Sequence, residues 1–148
     1  MKVLLINGSP HEKGCTYTAL SLIAGELNAG GIETEILNVG TKPVGGCIGC
    51  GGCAAGSGCV FGGVVNEAIE KAKTADAFVF GTPVHYASAS GNMTSFMDRL
   101  AYAGGKYLAY KPAAICCSAR RAGTTTTLDQ LVKYPQFFHM PLVNGSYW

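Results

Sequence analysis

The sequence predicts an α/β chain in which a five-stranded parallel sheet carries helices on both faces. Short apolar runs alternate with segments of helical periodicity along the whole length. The first of those runs has no polar interruption after Lys2, as a strand buried on both faces requires. Turn-forming pairs, such as Gly30-Gly31 and Thr82-Pro83, close the segments.

Lys2 to Asn7 is the first strand, and Gly8-Ser9-Pro10 ends it. A helix is expected from about Cys15 to Asn28, where Leu20, Ile23, Ala24 and Leu27 recur on one face. Glu33 to Val39 forms the second strand. A Gly/Cys-rich loop then fills residues 40–63, ahead of a helix over Val64 to Lys73. Ala77 to Gly81 is the third strand, closed by Thr82-Pro83. Asn92 to Tyr102 is helical, with Met93, Phe96, Met97 and Leu100 on one side. Pro112 to Cys117 is the fourth strand, Thr127 to about Tyr134 a helix, and Pro141 to Asn144 the fifth strand. The pattern calls for one more helix, yet the sequence stops at Trp148, so we expect an incomplete chain with its final helix missing. Residues 1–148 are read as one domain, in keeping with their number.

Composition narrows the function classes. Apolar residues make up 48% and charged residues 14%, the balance of a globular chain. A formal charge of +2 with no long run of like charge gives no reason to expect nucleic acid. The apolar start, Val3 to Ile6, is too short for a secretory h-region, and no segment approaches the roughly 18 apolar residues of a membrane span. We expect a cytoplasmic protein.

Parallel sheets of this kind bind ligands beyond the carboxyl ends of their strands. Three loops lie there: Gly8 to Thr18, Thr82 to Asn92, and Ser118 to Thr126. The first joins a strand to a helix start, where backbone amides favour an anion, and Ser9, Thr16 and Thr18 add hydroxyls. Its spacing is neither Gly-x-Gly-x-x-Gly nor a Walker A loop, so a dinucleotide or nucleoside triphosphate is disfavoured. No Cys-x5-Arg segment is present, which removes a phosphatase. A neutral bowl of hydroxyls and amides suits one phosphate monoester, such as that of FMN. The competing reading is that these hydroxyls only cap the helix. Cys15, at the helix start, is expected to contact this loop. In the second loop, Tyr86 can lie against a planar ring, with His85 beside it at the rim. Asp98-Arg99 reads as a structural ion pair, and Cys116-Cys117 as core residues.

Gly8-Ser9-Pro10, the run Thr82-Pro83-Val84-His85-Tyr86, and Ser90-Gly91-Asn92-Met93-Thr94-Ser95-Phe96-Met97-Asp98-Arg99 together resemble the NADPH-dependent FMN reductases of the flavodoxin-like superfamily. With the cysteine group, the likeness is to the branch of the iron–sulfur flavoproteins and their cluster-less relatives. The resemblance implies that Ser9, Thr16 and Thr18 hold the FMN phosphate. It places Pro83, Val84, His85 and Tyr86 along the isoalloxazine, and Ser118, Arg120 and Gly123 near its pyrimidine end. It also implies a homodimer or homotetramer. The activity expected is an oxidoreductase that takes hydride from NAD(P)H and passes electrons to a small-molecule or protein acceptor. The alternative is an electron carrier working with ferredoxin.

Cys47, Cys50, Cys53 and Cys59 fall within thirteen residues, interleaved with glycines. Thiolates so spaced can ligate a [4Fe–4S] cluster. Zinc would use four thiolates too, but its sites usually pair two separated Cys-x-x-Cys units. Reduced or redox-paired thiols are the remaining alternative.

Overall fold

The computed structural model describes residues 1–145. Strands β1 (Lys2–Asn7), β2 (Glu33–Asn38), β3 (Ala77–His85) and β5 (Ala113–Ser118) lie parallel in the spatial order β2-β1-β3-β5. The two-residue strand β4 (Ser88–Ala89) folds back antiparallel on the end of β3. The helices are α1 (Cys15–Ala29), α2 (Val64–Thr74), α3 (Gly91–Gly104) and α4 (Thr124–Phe137). The expected flavodoxin-like arrangement is thus present, with the order reversing at the β1–β3 pair.

Two expectations need correction. The third strand does not stop at Gly81: it continues to His85, because Val84 and His85 pair with Ala89 and Ser88 through a turn at Tyr86-Ala87. The fifth strand is reduced to one parallel rung beside β5, where Ala113 faces Leu142. The Ala113 amide donates to Pro141 O and the Val143 amide to Ala113 O. Pro141 has no amide of its own to extend that ladder.

Alternation along the strands sorts the core. Leu4, Ile6, Phe78 and Phe80 face one way and pack with Ile69, Phe96, Leu100 and Leu131 from α2, α3 and α4. Val3, Leu5 and Val79 face the other way, against Leu20 and Ala24 of α1. Phe80 and Phe96 are fully buried, and cutting either to alanine costs about 3–5 kcal/mol. Cys116 lies half-buried against the α1 side, and burial, with Cys117 beside it, pushes its thiol up to about 11. Among the described residues, no helix is long and apolar enough to cross a membrane.

Candidate functional site

The loop after β1 is shaped by Asn7, which is completely buried at the strand's end. Its carboxamide donates to Asn38 Oδ1 (2.8 Å) and Glu12 O (3.3 Å), and accepts from the Ser9 amide (3.1 Å). Ser9 is buried as well, and its hydroxyl accepts from the His11 amide at 3.1 Å. Helix α1 then opens at Gly14 with no side-chain cap and no acidic residue in its first turn. Its first amides are therefore left to water or to a ligand, and a helix start favours an anion. Thr16 is buried, with Oγ1 2.8 Å from Ser118 Oγ, so the first turn of α1 and the end of β5 meet at two hydroxyls. This donor set fits a phosphate monoester. Thr18 stands outside it: the side chain is exposed and its hydroxyl returns to Gly14 O at 3.3 Å. Cys15 is exposed at the helix start.

Gly40 explains how the loop after β2 comes so near. A Cβ there would fall 2.4 Å from Gly8 O and Ser9 O, so only glycine allows the approach. The loops after β3 and β5 also touch. Tyr86 and Ala87 take φ of 51° and 59°, both left-handed, which makes the turn a strained two-residue hairpin. Gly123, at φ 94°, lies against it, and a Cβ would meet Ala87 Cα at 2.7 Å and Val84 Cγ1 at 3.2 Å. Thr126 Oγ1 donates to Ala87 O (2.9 Å), while Gln130 Oε1 accepts from Ser88 Oγ (2.8 Å) and the Ala89 amide (2.9 Å). Tyr86 is fully exposed at the rim, His85 and Arg120 are exposed, and Pro83 and Val84 are half-buried.

The four clustered cysteines gather separately. Cys47, Cys50, Cys53 and Cys59 line one cavity of about 240 Å³, walled by Phe61 and by Arg99 and Tyr102 of α3. All seven cysteines are free thiols. Among the described residues, no three His, Cys, Asp or Glu side chains converge to hold a single metal ion. Four thiols on one cavity are a donor set of the kind that either zinc or an iron–sulfur cluster uses. Asn66 of α2 grips Cys59 from both sides: its carboxamide accepts from the Cys59 amide (2.8 Å) and donates to the Cys59 carbonyl (3.0 Å).

Arg99 makes no ion pair with Asp98, contrary to the sequence expectation. Neighbours in a helix point about 100° apart and do not face each other. Asp98 instead accepts from the Tyr134 hydroxyl at 2.5 Å, and burial together with that bond raises the phenol's pKa. Arg99, only 6% exposed, turns to the cysteine loop. It donates from Nε to Cys59 Sγ (3.2 Å) and from its two terminal nitrogens to Gly45 O (3.4 Å) and Gly62 O (2.9 Å).

One helix serves both regions. Ser90, the cap of α3, donates to Gly8 O at 2.7 Å. Asn92 holds the loop after β2 through Gly40 O (2.9 Å), Lys42 O (3.0 Å) and the Val44 amide (3.1 Å). Arg99 follows about two turns later. Sequence reasoning had not assigned Asn7, Asn66, Asn92 or Gln130 a role. Asn92 and Arg99 lie inside the quoted motif, so a signal existed for those two alone.

The comparisons agree with this arrangement. An iron–sulfur flavoprotein of Methanocaldococcus jannaschii is 33% identical over 99 residues, covering 67% of this chain and 51% of that protein. One from Archaeoglobus fulgidus is 35% identical over 99 residues, covering 67% and 48%. The chain thus spans about half the length of the flavoproteins it matches. Among solved structures, the NADH:FMN oxidoreductase EmoB superposes with a TM-score of 0.71 at 20% identity, over 97% of this chain and 72% of that one. FerB, an NAD(P)H:acceptor oxidoreductase of Paracoccus denitrificans, gives 0.70 at 19% identity, over 99% and 75%. Likeness at these identities establishes the flavodoxin-like fold. The family described as NADPH-dependent FMN reductase matches residues 1–148, and the chain belongs to it.

Proposed function

We propose that the chain binds FMN non-covalently at the carboxyl ends of β1, β3 and β5 and works as an NAD(P)H-dependent oxidoreductase. The observation that carries this reading is the donor set around the first loop: buried Ser9, the Thr16–Ser118 pair, and a helix start without a side-chain cap. Ser9 and Thr16 hold the phosphate, with Cys15 and Thr18 at the margin. Pro83, Val84, His85 and Tyr86 border the ring, and Arg120 and Gly123 approach its pyrimidine end, while Ser118, bonded to Thr16, stands with the phosphate set instead. Bound FMN would supply hydride and single-electron chemistry, while the chain supplies position, charge and limited access for water. Arg120 and Arg121 offer positive charge to the phosphates of a pyridine nucleotide. Electrons then pass to a small-molecule or protein acceptor. A cytoplasmic location and a homodimer or homotetramer complete the proposal.

The test is a fluorescence titration of flavin-stripped protein with FMN, followed by NADPH and NADH oxidation assays. Thr16→Val, which keeps the shape and deletes the hydroxyl, should raise the FMN Kd about tenfold, equivalent to ~1.4 kcal/mol. Wild-type protein that takes up no FMN would overturn the reading.

A second reading is favoured by the four thiols on one cavity: an iron–sulfur flavoprotein that exchanges electrons with ferredoxin. Rapid NADPH turnover supports the reductase, and reduction through ferredoxin alone supports the carrier.

A further inference from the structure

Arg99 contacts both ends and the last thiol of the cysteine loop. Gly45 precedes Cys47, Gly62 follows Cys59, and a single guanidinium holds both carbonyls. The third donor, Nε–H, is directed at a sulfur. Burial of a cation is costly unless an anion or several acceptors compensate it. Among the described residues no carboxylate lies within ion-pair distance of Arg99, and Asp98, its neighbour, is engaged by Tyr134. The guanidinium instead faces two carbonyl oxygens, a thiol and, 5.6 Å away, the ring of Phe61. It therefore stands as a desolvated positive charge on the wall of a cavity lined by four cysteines.

We propose that Arg99 is the positioning residue of this loop: it fixes Cys59 as the preset ligand and supplies the charge-assisted N–H···S bond that raises the reduction potential of an iron–sulfur cluster held there. This role rests on the iron–sulfur reading above. Cys59 is held by Arg99 at sulfur and by Asn66 at both backbone groups, whereas Cys47 and Cys50 are exposed. The first three cysteines lie on an arm whose Gly49, Gly51 and Gly56 take positive φ, so that arm wraps while the fourth ligand stays put. A reduced cluster carries one more negative charge than an oxidised one. A buried cation bonded to one of its sulfurs favours the reduced form, since hydrogen bonds to sulfur are among the levers on cluster potential.

The experiment is anaerobic iron–sulfide reconstitution of the FMN-loaded protein, with iron counted per chain and the cluster midpoint measured by redox titration. Wild type, Arg99→Gln and Arg99→Lys are compared. In Arg99→Gln the preference for the reduced form should fall about tenfold, which is a negative shift of 59 mV for one electron. Arg99→Lys keeps the charge and should lie between the two. Loss of iron from Arg99→Gln, with FMN retained and iron restored in Arg99→Lys, likewise supports the role. Iron retained in Arg99→Gln at an unchanged potential overturns the role while leaving the cluster reading intact. Iron absent from wild type overturns both. Should Arg99→Gln lose FMN and iron together, Arg99→Lys decides: a wild-type potential there overturns the role, and a lowered one supports it. Hydrogen exchange on the cluster-free proteins gives an independent reading. Amides of residues 58–63 should exchange faster in Arg99→Gln, with those of β1 and β3 unchanged; equal rates throughout overturn the positioning role.

Discussion

At Gly123 the loop after β5 presses on the hairpin turn with no room for a side chain. Alanine there would place a Cβ 2.7 Å from Ala87 Cα while holding a φ of 94° that L-residues rarely adopt. Gly123→Ala is expected to destabilise the fold by about 2 kcal/mol, read as a lower urea midpoint with an unchanged slope. Ala87 and Tyr86 bear the opposite strain, with side chains at positive φ. Of the residues named from sequence, Thr16 and Ser118 meet at their hydroxyls, and Ser9 is buried in the loop that leads to Thr16. Thr18 was grouped with them by proximity in the chain, but a helix turns it outward and its hydroxyl is satisfied by Gly14. Arg99 lay inside a legible motif, but its partners were illegible: they lie 37 to 54 residues away, in a loop with no periodic pattern to align.

Among the elements, β2 shows how a sheet edge is protected. It borders the sheet beyond β1, and its Glu33 and Glu35 face Lys2 of β1 and Lys71 of α2. Charges along an edge discourage pairing with another chain. The bond from Lys2, then that from Lys71, holds the Glu35 carboxyl below its usual range. A depressed carboxyl contributes stability that is present above its unfolded value, about 4.3, and is lost as pH falls through the lower folded value. Glu35→Gln should therefore melt below wild type at pH 7 by a margin worth about 0.5 kcal/mol, and the two should converge as pH falls below the folded value. Helix α3 was legible as a helix from its apolar face. Its role as a common support was not, because Ser90, Asn92 and Arg99 all act on segments distant in sequence. The extension of β3 was missed because Pro83 reads as a stop, although the strand continues beyond it into the hairpin.

At the scale of the whole molecule, the parallel sheet flanked by helices followed from alternation of strand and helix, whereas the order of its strands did not, and the fifth rung shrank to Leu142. The surface adds what no pattern indicated. Tyr102 on α3 and Phe137 on α4 are 75% and 77% exposed, and with Phe138 and Lys133 they border a cavity of about 530 Å³. Exposed aromatic groups of this kind mark association surfaces. If the proposed oligomer uses them, Phe137→Glu should move the sedimenting species towards the mass of a single chain; an unchanged coefficient places the contact elsewhere.

The grip of Arg99 on Gly45 and Gly62 has a further consequence. Where the cysteine loop leaves the body and where it returns lie within the span of a single guanidinium. The intervening segment is an excursion closed at its neck, like an Ω-loop, and adds no strand to the sheet. It has the form of a cassette: the residues between the two anchors carry no part of the sheet, although Cys59 among them is tied to α2 and α3. Redox chemistry could thus be acquired or shed at this position without redesigning the scaffold.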